Sequence, residues 1–256
     1  MRARLGPTDI AYEIVGTGGP WLVLIHCLGG SADMWWRNVE PLARGHRILR
    51  YDLRGHGATT SDGPWTMDDL AGDAAALMAH LGIDRASVIG AAMGGMVAQL
   101  LASRHPERVA RTVIANSASH IDDKGAASFR ERARRARTEG MDRIAAEGIG
   151  RYFTKDAPTE LVERVRRVWA AMAPEGYALT CEAIASFDAR AGHPRTSSPV
   201  LVIGSEGDPT SSAASMRELA ASLPDARVEI MARGAHLACV EDATAFNDLV
   251  TGFLTA

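Results

Sequence analysis

Gly90-Ala91-Ala92-Met93-Gly94 has the spacing of a nucleophile elbow, Gly-x-Ser-x-Gly, with a methyl group where the hydroxyl belongs. An apolar strand, Ala86 to Ile89, leads into it, and a helical pattern of Met96, Val97, Leu100 and Leu101 leads out. Gly90 and Gly94 stand two residues either side of Ala92, where a side chain would collide with a tight turn. The central residue of such a turn is expected at positive φ, which costs an alanine roughly 1 kcal/mol or more. That strain has a purpose only where the position projects a reactive atom into a pocket.

A serine hydroxyl is a weak nucleophile at neutral pH and needs a base within reach, itself oriented by a third group. Gly204-Ser205-Glu206-Gly207-Asp208-Pro209 follows a buried strand and offers Asp208 as the acid. By itself Asp208-Pro209 reads equally well as a turn. Arg233-Gly234-Ala235-His236-Leu237 lies between the last strand and the last helix and offers His236 as the base. A lone loop histidine is more often an ordinary polar residue. Nucleophile position, acid and histidine in that chain order, each after a strand, together favour a hydrolytic triad. An oxyanion hole needs two backbone N–H groups. Met93, after the nucleophile position, is expected to give one, and Leu28, in the loop Ile25-His26-Cys27-Leu28-Gly29-Gly30, the other. Asp52-Leu53-Arg54-Gly55-His56-Gly57 also follows a strand. It precedes the elbow, out of triad order, and reads as a structural loop.

Parallel strands buried on both faces carry near-continuous apolar runs. Trp21 to Ile25, Arg47 to Tyr51, Ala86 to Ile89 and Val109 to Ala115 fit that description. Between them Met67, Leu70, Ala71, Ala74, Leu77, Met78 and Leu81 share one helical face, with Thr66 placed to cap the helix and Gly82 to end it. Strands alternating with helices imply right-handed crossovers and a mostly parallel, twisted α/β sheet flanked by helices. From Asp122 to Gly192 only helical patterns occur, including the arginine-rich run Arg130 to Arg137. Strand patterns resume at Val200 to Ile203 and Val228 to Met231, and the chain ends in an amphipathic helix through Phe246, Leu249, Val250, Phe253 and Leu254. The expected organisation is a core in two parts, 1–121 and 193–256, with a helical cap at 122–192 inserted after the sixth strand. A cap there covers the carboxyl ends of the strands, where open α/β sheets bind ligands. Trp35 and Trp36, after the oxyanion loop, read as packing residues.

Bulk properties narrow the classes. The chain has 256 residues, 46% hydrophobic and 23% charged, with a formal net charge of −3. That balance argues against a nucleic-acid partner. No stretch approaches the ~18 consecutive apolar residues of a membrane span, and Met1-Arg2-Ala3-Arg4 leads into no signal-peptide core. Cys27, Cys181 and Cys239 suggest neither a disulfide framework nor a zinc site. The expectation is a cytoplasmic protein with no metal and no cofactor. Its partner would be a small lactone or ester, with self-association into a homo-oligomer left open.

At this level of detail the whole chain resembles an α/β-hydrolase. Tyr51 to Gly57, Gly94-Gly95-Met96-Val97-Ala98-Gln99 and Arg104-His105-Pro106-Glu107-Arg108-Val109 are general superfamily matches. Ala115 to Ala118, Glu139-Gly140-Met141, Arg151-Tyr152-Phe153-Thr154, Glu175-Gly176-Tyr177, Cys181-Glu182-Ala183 and Phe187-Asp188-Ala189-Arg190 resemble the 3-oxoadipate enol-lactonases of aromatic catabolism. The resemblance implies a triad of position 92, Asp208 and His236, and hydrolysis of a small carboxylated lactone. Three positions depart from the family pattern: alanine replaces serine at 92, Cys27 replaces a glycine of His-Gly-Leu-Gly, and Phe129 replaces a cap tryptophan three residues before Arg132. Most cap arginines read as solvated and paired with Glu131 or Glu139, with Arg132 the candidate clamp for a substrate carboxylate. Cys27, Phe129, Arg132 and Trp169 are the candidate substrate contacts.

Ala92 has two explanations: a deliberate replacement of serine, or a natural non-catalytic relative that binds a ligand. The intact acid, histidine and elbow glycines favour the first. Methionine at 93 resembles serine enzymes, whereas aspartate-nucleophile dehalogenases and epoxide hydrolases usually carry tryptophan there, and a cysteine nucleophile is the lesser alternative. A cofactor-free carbon–carbon bond hydrolase is the main enzymatic rival to a lactonase.

Overall fold

The computed structural model describes residues 1–255. Its strands are β1 (Arg2–Leu5), β2 (Thr8–Val15), β3 (Trp21–Ile25), β4 (Arg47–Tyr51), β5 (Thr60–Ser61), β6 (Ala86–Ala91), β7 (Val109–Ala115), β8 (Val200–Ser205) and β9 (Ala226–Met231). They form one sheet in the order β1-β2-β4-β3-β6-β7-β8-β9, with the two-residue β5 paired only to β2. From β4 across to β9 every pairing is parallel. β1, β2 and β5 add an antiparallel edge. The apolar-run criterion passes over that edge because β1 alternates exposed with buried residues and most of β2 is only half-buried, with polar residues among the apolar ones.

The helices are α1 (Val39–Ala43), α2 (Met67–His80), α3 (Met93–Arg104), α4 (Asp123–Glu139), α5 (Met141–Gly148), α6 (Thr159–Ala170), α7 (Pro174–Ile184), α8 (Ala213–Ala221), α9 (Ala238–Glu241) and α10 (Ala243–Thr255). Thr66 caps α2 in a reciprocal box with Asp69, and Gly82 follows the helix at φ +67°. Trp35 closes a short 3₁₀ turn, fully buried, and Trp36 lies under the Arg164 guanidinium at 4.2 Å.

Alternate strand residues feed opposite cores, as a two-residue repeat requires. Val23, Ile25 and Val88 meet α2 and α3 on one face. Leu22, Leu24 and Ile89 meet α10 on the other. Helices α4 to α7 fall between β7 and β8. β7 is the sixth strand of the main path, since β5 lies off it. These helices have no separate core: α4 and α7 join the first cluster, α6 the second, and α5 contributes to both. The inserted helices are thus anchored over the sheet on both sides. Among the described residues no helix is long and apolar enough to cross a membrane.

Parallel register gathers the chemistry. β3, β6, β7, β8 and β9 are successive neighbours, so their carboxyl ends open at one edge. The loops leaving β3, β6, β8 and β9 carry Leu28, Ala92, Asp208 and His236 respectively.

Candidate active site

At the end of β6 the chain reverses within one residue. Ala92 has φ +51° and ψ −116°, a conformation that side chains rarely adopt. The glycines on either side permit it: a Cβ on Gly90 would lie 2.0 Å from the Gly94 carbonyl oxygen, and one on Gly94 2.1 Å from that of Ile25. Neither obstacle is a flexible side chain, so neither site admits alanine. Because the chain reverses here, Met93 becomes the first residue of α3, and its N–H is one of the donors a helix start leaves unpaired. The Ala92 carbonyl is held by the Ser117 hydroxyl at 2.8 Å.

The loop after β3 supplies Leu28. Two buried histidines brace it from the Asp52–Gly57 loop. His26 Nε2 accepts the Leu53 N–H at 3.0 Å while its Nδ1–H donates to the Cys27 carbonyl at 2.8 Å. His56 Nε2 accepts the Gly29 N–H at 3.1 Å while its Nδ1–H donates to the Arg54 carbonyl at 2.9 Å. Both rings must be neutral for these bonds, and burial lowers them to about 4 and about 3. Asp52 accepts the N–H groups of Ala32 and Ala58, and Arg54 forms a bidentate pair with Asp73 of α2. Asp52 and His56 therefore form scaffolding for the loop. Among the described residues, the N–H groups of Leu28 and Met93 have no protein acceptor.

His236 Nδ1 lies 2.9 Å from Asp208 Oδ2 and 2.6 Å from Thr210 Oγ1. Asp208 also accepts Asn116 Nδ2 at 3.0 Å, the Thr210 N–H at 2.8 Å and the Thr210 hydroxyl at 2.7 Å. Burial acts to raise the Asp208 carboxyl, but its bonds with His236 and Thr210 outweigh that and hold it at about 2. With acceptors on both sides, Nδ1 keeps the proton and Nε2 presents a lone pair. Tyr152 lies against the imidazole, ring centroids 5.0 Å apart, and its carbonyl takes the Leu237 N–H. Glu241 accepts the N–H groups of Ala235 and Thr154, joining the histidine loop to the cap.

One cavity of about 160 Å³ joins these groups. Its lining includes Cys27, Leu28, Ala92, Met93, Arg132 and His236, with Phe129 and Tyr152 from the cap. Of the candidate substrate contacts, Trp169 does not line it but lies on the wall of a neighbouring cavity of about 380 Å³ that shares Phe129, Arg132 and Tyr152 with it. Its indole is buried and fills the space over Gly29, where a Cβ would meet Nε1 at 2.4 Å, and it stands edge-on to Tyr152 at 5.0 Å. It backs the oxyanion loop and Tyr152 from behind. Cys27 is a thiol here, since burial pushes it up to about 12.

Three arginines of α4 carry carboxylate partners: Arg134 with Glu131, Arg135 with Glu139 and Glu147, Arg137 with Glu175 and Glu182. Arg132 differs. It reaches the phenol oxygens of Tyr177 and Tyr152, with the Phe129 ring 5.1 Å away, and has no carboxylate in ion-pair range among the described residues.

The model of the alpha/beta hydrolase fold matches residues 20–243. The chain belongs to the α/β-hydrolase family. It is similar to 3-oxoadipate enol-lactonase 2 of Acinetobacter baylyi, 35% identical over 98% of this chain and 95% of that protein. Among solved structures it is similar to the enol-lactonase from Burkholderia xenovorans LB400, with TM-score 0.95, 37% identity and complete coverage of both chains. A thermophilic esterase from Thermogutta terrifontis, solved with malate bound, matches at TM-score 0.93 and 27% identity over 100% of this chain and 98% of that one.

Asn116, Thr210 and Tyr152 of this α/β-hydrolase escaped the reading of individual residues. Asn116 carried a faint signal, since asparagine tolerates its φ of +45° at a strand end. Tyr152 lies in a segment that resembles the enol-lactonases, which gives it no role by itself, and Thr210 carries no signal, being an ordinary loop residue until the chain folds.

Proposed function

We propose that this α/β-hydrolase is built for acyl transfer from small carboxylated lactones or esters through a serine at position 92, and that with Ala92 its turnover is nearly abolished. One observation carries this reading. A histidine with an unclaimed Nε2 and a buried carboxylate behind it shares a single cavity with the Ala92 methyl and two unclaimed backbone N–H groups. A hydrophobic cavity alone would explain none of those.

In the form with serine at 92, His236 takes the hydroxyl proton as the oxygen attacks the carbonyl carbon. Asp208 keeps the imidazole in the required tautomer and stabilises the imidazolium. The N–H groups of Leu28 and Met93 hold the tetrahedral oxyanion, each worth about 3 kcal/mol. His236 then protonates the departing oxygen, which from an enol-lactone becomes an enol and tautomerises to the ketone. Water deprotonated by His236 releases the acyl group. Without the nucleophile only binding and the oxyanion donors remain, so turnover falls by roughly a million-fold.

The carboxylate requirement follows from Arg132. A half-buried guanidinium with only phenol partners has uncompensated charge facing the cavity, which suits a substrate anion. The similarity to enol-lactonases, and the malate bound in the related esterase, support the same class.

The test is Ala92→Ser assayed on p-nitrophenyl acetate and on an enol-lactone bearing a carboxylate. A gain of at least roughly a thousand-fold over the Ala92 chain is expected. No gain makes the protein a ligand-binding relative, and two released carbon fragments from a ring-cleavage product make it a carbon–carbon hydrolase. In the same background, Arg132→Ala should raise KM for the carboxylated lactone several-fold more than for the neutral ester. Equal effects on both substrates would remove Arg132 from substrate recognition.

A further inference from the structure

With a methyl group at 92, the cavity keeps each part of an acyl-transfer site except the nucleophile of the elbow. The Ser117 hydroxyl also lines the cavity, but it is committed to the Ala92 carbonyl at 2.8 Å. Cys27 is held as a neutral thiol by burial. The strained elbow nevertheless still has a task, because the reversal at Ala92 is what turns the Met93 N–H into the first donor of α3. What remains is a base, two oxyanion donors and a cation in a largely apolar chamber lined by Met93, Met96, Ile121 and Ile184. In a serine enzyme the hydroxyl would occupy the lone pair of the base. Here Nε2 has no hydrogen-bond partner among the described residues, and His236 lines the cavity.

The geometry points to a second activity of the chain as it stands: reversible proton transfer at the carbon next to the ketone of a short oxo acid. His236 Nε2 is the base, the Leu28 and Met93 N–H groups hold the enolate oxygen, and Arg132 holds the carboxylate. This rests on the same roles for His236, Leu28, Met93 and Arg132 as the hydrolytic reading, though not on any nucleophile. His236 removes a proton from the carbon. The C–H electron pair becomes the enolate C=C bond while the carbonyl π pair moves onto oxygen. The imidazolium then returns a proton to the same carbon, or in a β,γ-unsaturated substrate to the γ carbon, which moves the double bond into conjugation. No covalent bond to protein forms, and no oxidant, reductant or water is consumed. Asp208 stays ionised throughout, paired with the imidazolium at 2.9 Å.

The experiment is deuterium exchange into levulinate in D₂O, followed by proton NMR, with the Ala92 chain, His236→Gln and Ala92→Ser side by side. The Ala92 chain should exchange about a hundredfold faster than His236→Gln, the range a positioned general base supplies. Ala92→Ser should exchange more slowly than the Ala92 chain, because its hydroxyl engages Nε2. Should His236→Gln fail to fold, Asp208→Asn gives the same comparison by stripping Nδ1 of its carboxylate. The ratio of levulinate to butanone exchange should drop in Arg132→Met, and an unchanged ratio removes the carboxylate contact. Equal exchange in the Ala92 chain and His236→Gln overturns the inference. If Ala92→Ser nevertheless hydrolyses a lactone, the hydrolytic reading survives that loss. Exchange by the Ala92 chain together with an inert Ala92→Ser variant has the opposite meaning.

Discussion

Lowering the pH should loosen this protein through the two histidines that brace the Leu28 loop. His26 and His56 are buried, and burial is the main cause that brings them to about 4 and about 3. For His56 the neighbouring His26, with ring centroids 5.0 Å away, adds to the depression, and Asp52 and the Arg54 carbonyl oppose it. In the unfolded chain both titrate near 6.5. The unfolded state therefore binds protons first, so stability is complete above about pH 6.5 and declines as pH falls, levelling only below about pH 3. Each histidine contributes a slope of about 1.4 kcal/mol per pH unit in that window. Between about pH 6.5 and pH 5 the pair should thus cost about 3 kcal/mol, a large share of a typical domain's stability. Urea denaturation at a series of pH values measures it directly. His193 has the same sign, so the slope should be read as a difference from His26→Gln and His56→Gln. Glutamine keeps an acceptor for the Leu53 or Gly29 N–H but cannot titrate. The reasoning fails if the parent chain shows no extra loss over the double variant in this window.

Two further outcomes follow from local geometry. Ala92→Gly should stabilise the fold by about 1 kcal/mol, because relief of the strained φ exceeds glycine's entropy cost, and thermal melting would show a lowered Tm if the elbow were unstrained. Thr210→Val in the Ala92→Ser background removes bonds to both Asp208 and His236. Its kcat should fall roughly tenfold, with KM for a neutral ester little changed. A change confined to KM would mean that Thr210 touches substrate instead.

Much of the architecture was legible in the chain. Parallel strands buried on both faces must be apolar along their whole length, which is why Leu22 to Ile25 and Val88 to Ile89 stand out. The edge strands β1 and β2 were not legible, since neither is buried along its length and both mix polar with apolar residues. Thr66 and Gly82 marked the ends of α2 because capping is a local interaction. Trp169 illustrates the opposite case. Its type and position in the helical insertion suit a pocket wall, yet which cavity an indole on α6 borders depends on its packing over Gly29, a residue from another part of the chain.

Local chemistry sets the need for glycine at position 90, where a Cβ would meet the Gly94 carbonyl oxygen four residues on, whereas glycine at 94 answers to the Ile25 carbonyl of β3. Local chemistry also sets the missing hydroxyl. Chain order puts Asp208 and His236 after strands, but does not bring them to 2.9 Å. That meeting, the support from Asn116 and Thr210, and the placing of Arg132, without a carboxylate partner, on the cavity wall depend on how β6 to β9 align and how the cap lies over them. Contacts between residues far apart in the chain are settled by packing, and no short stretch of sequence contains that information.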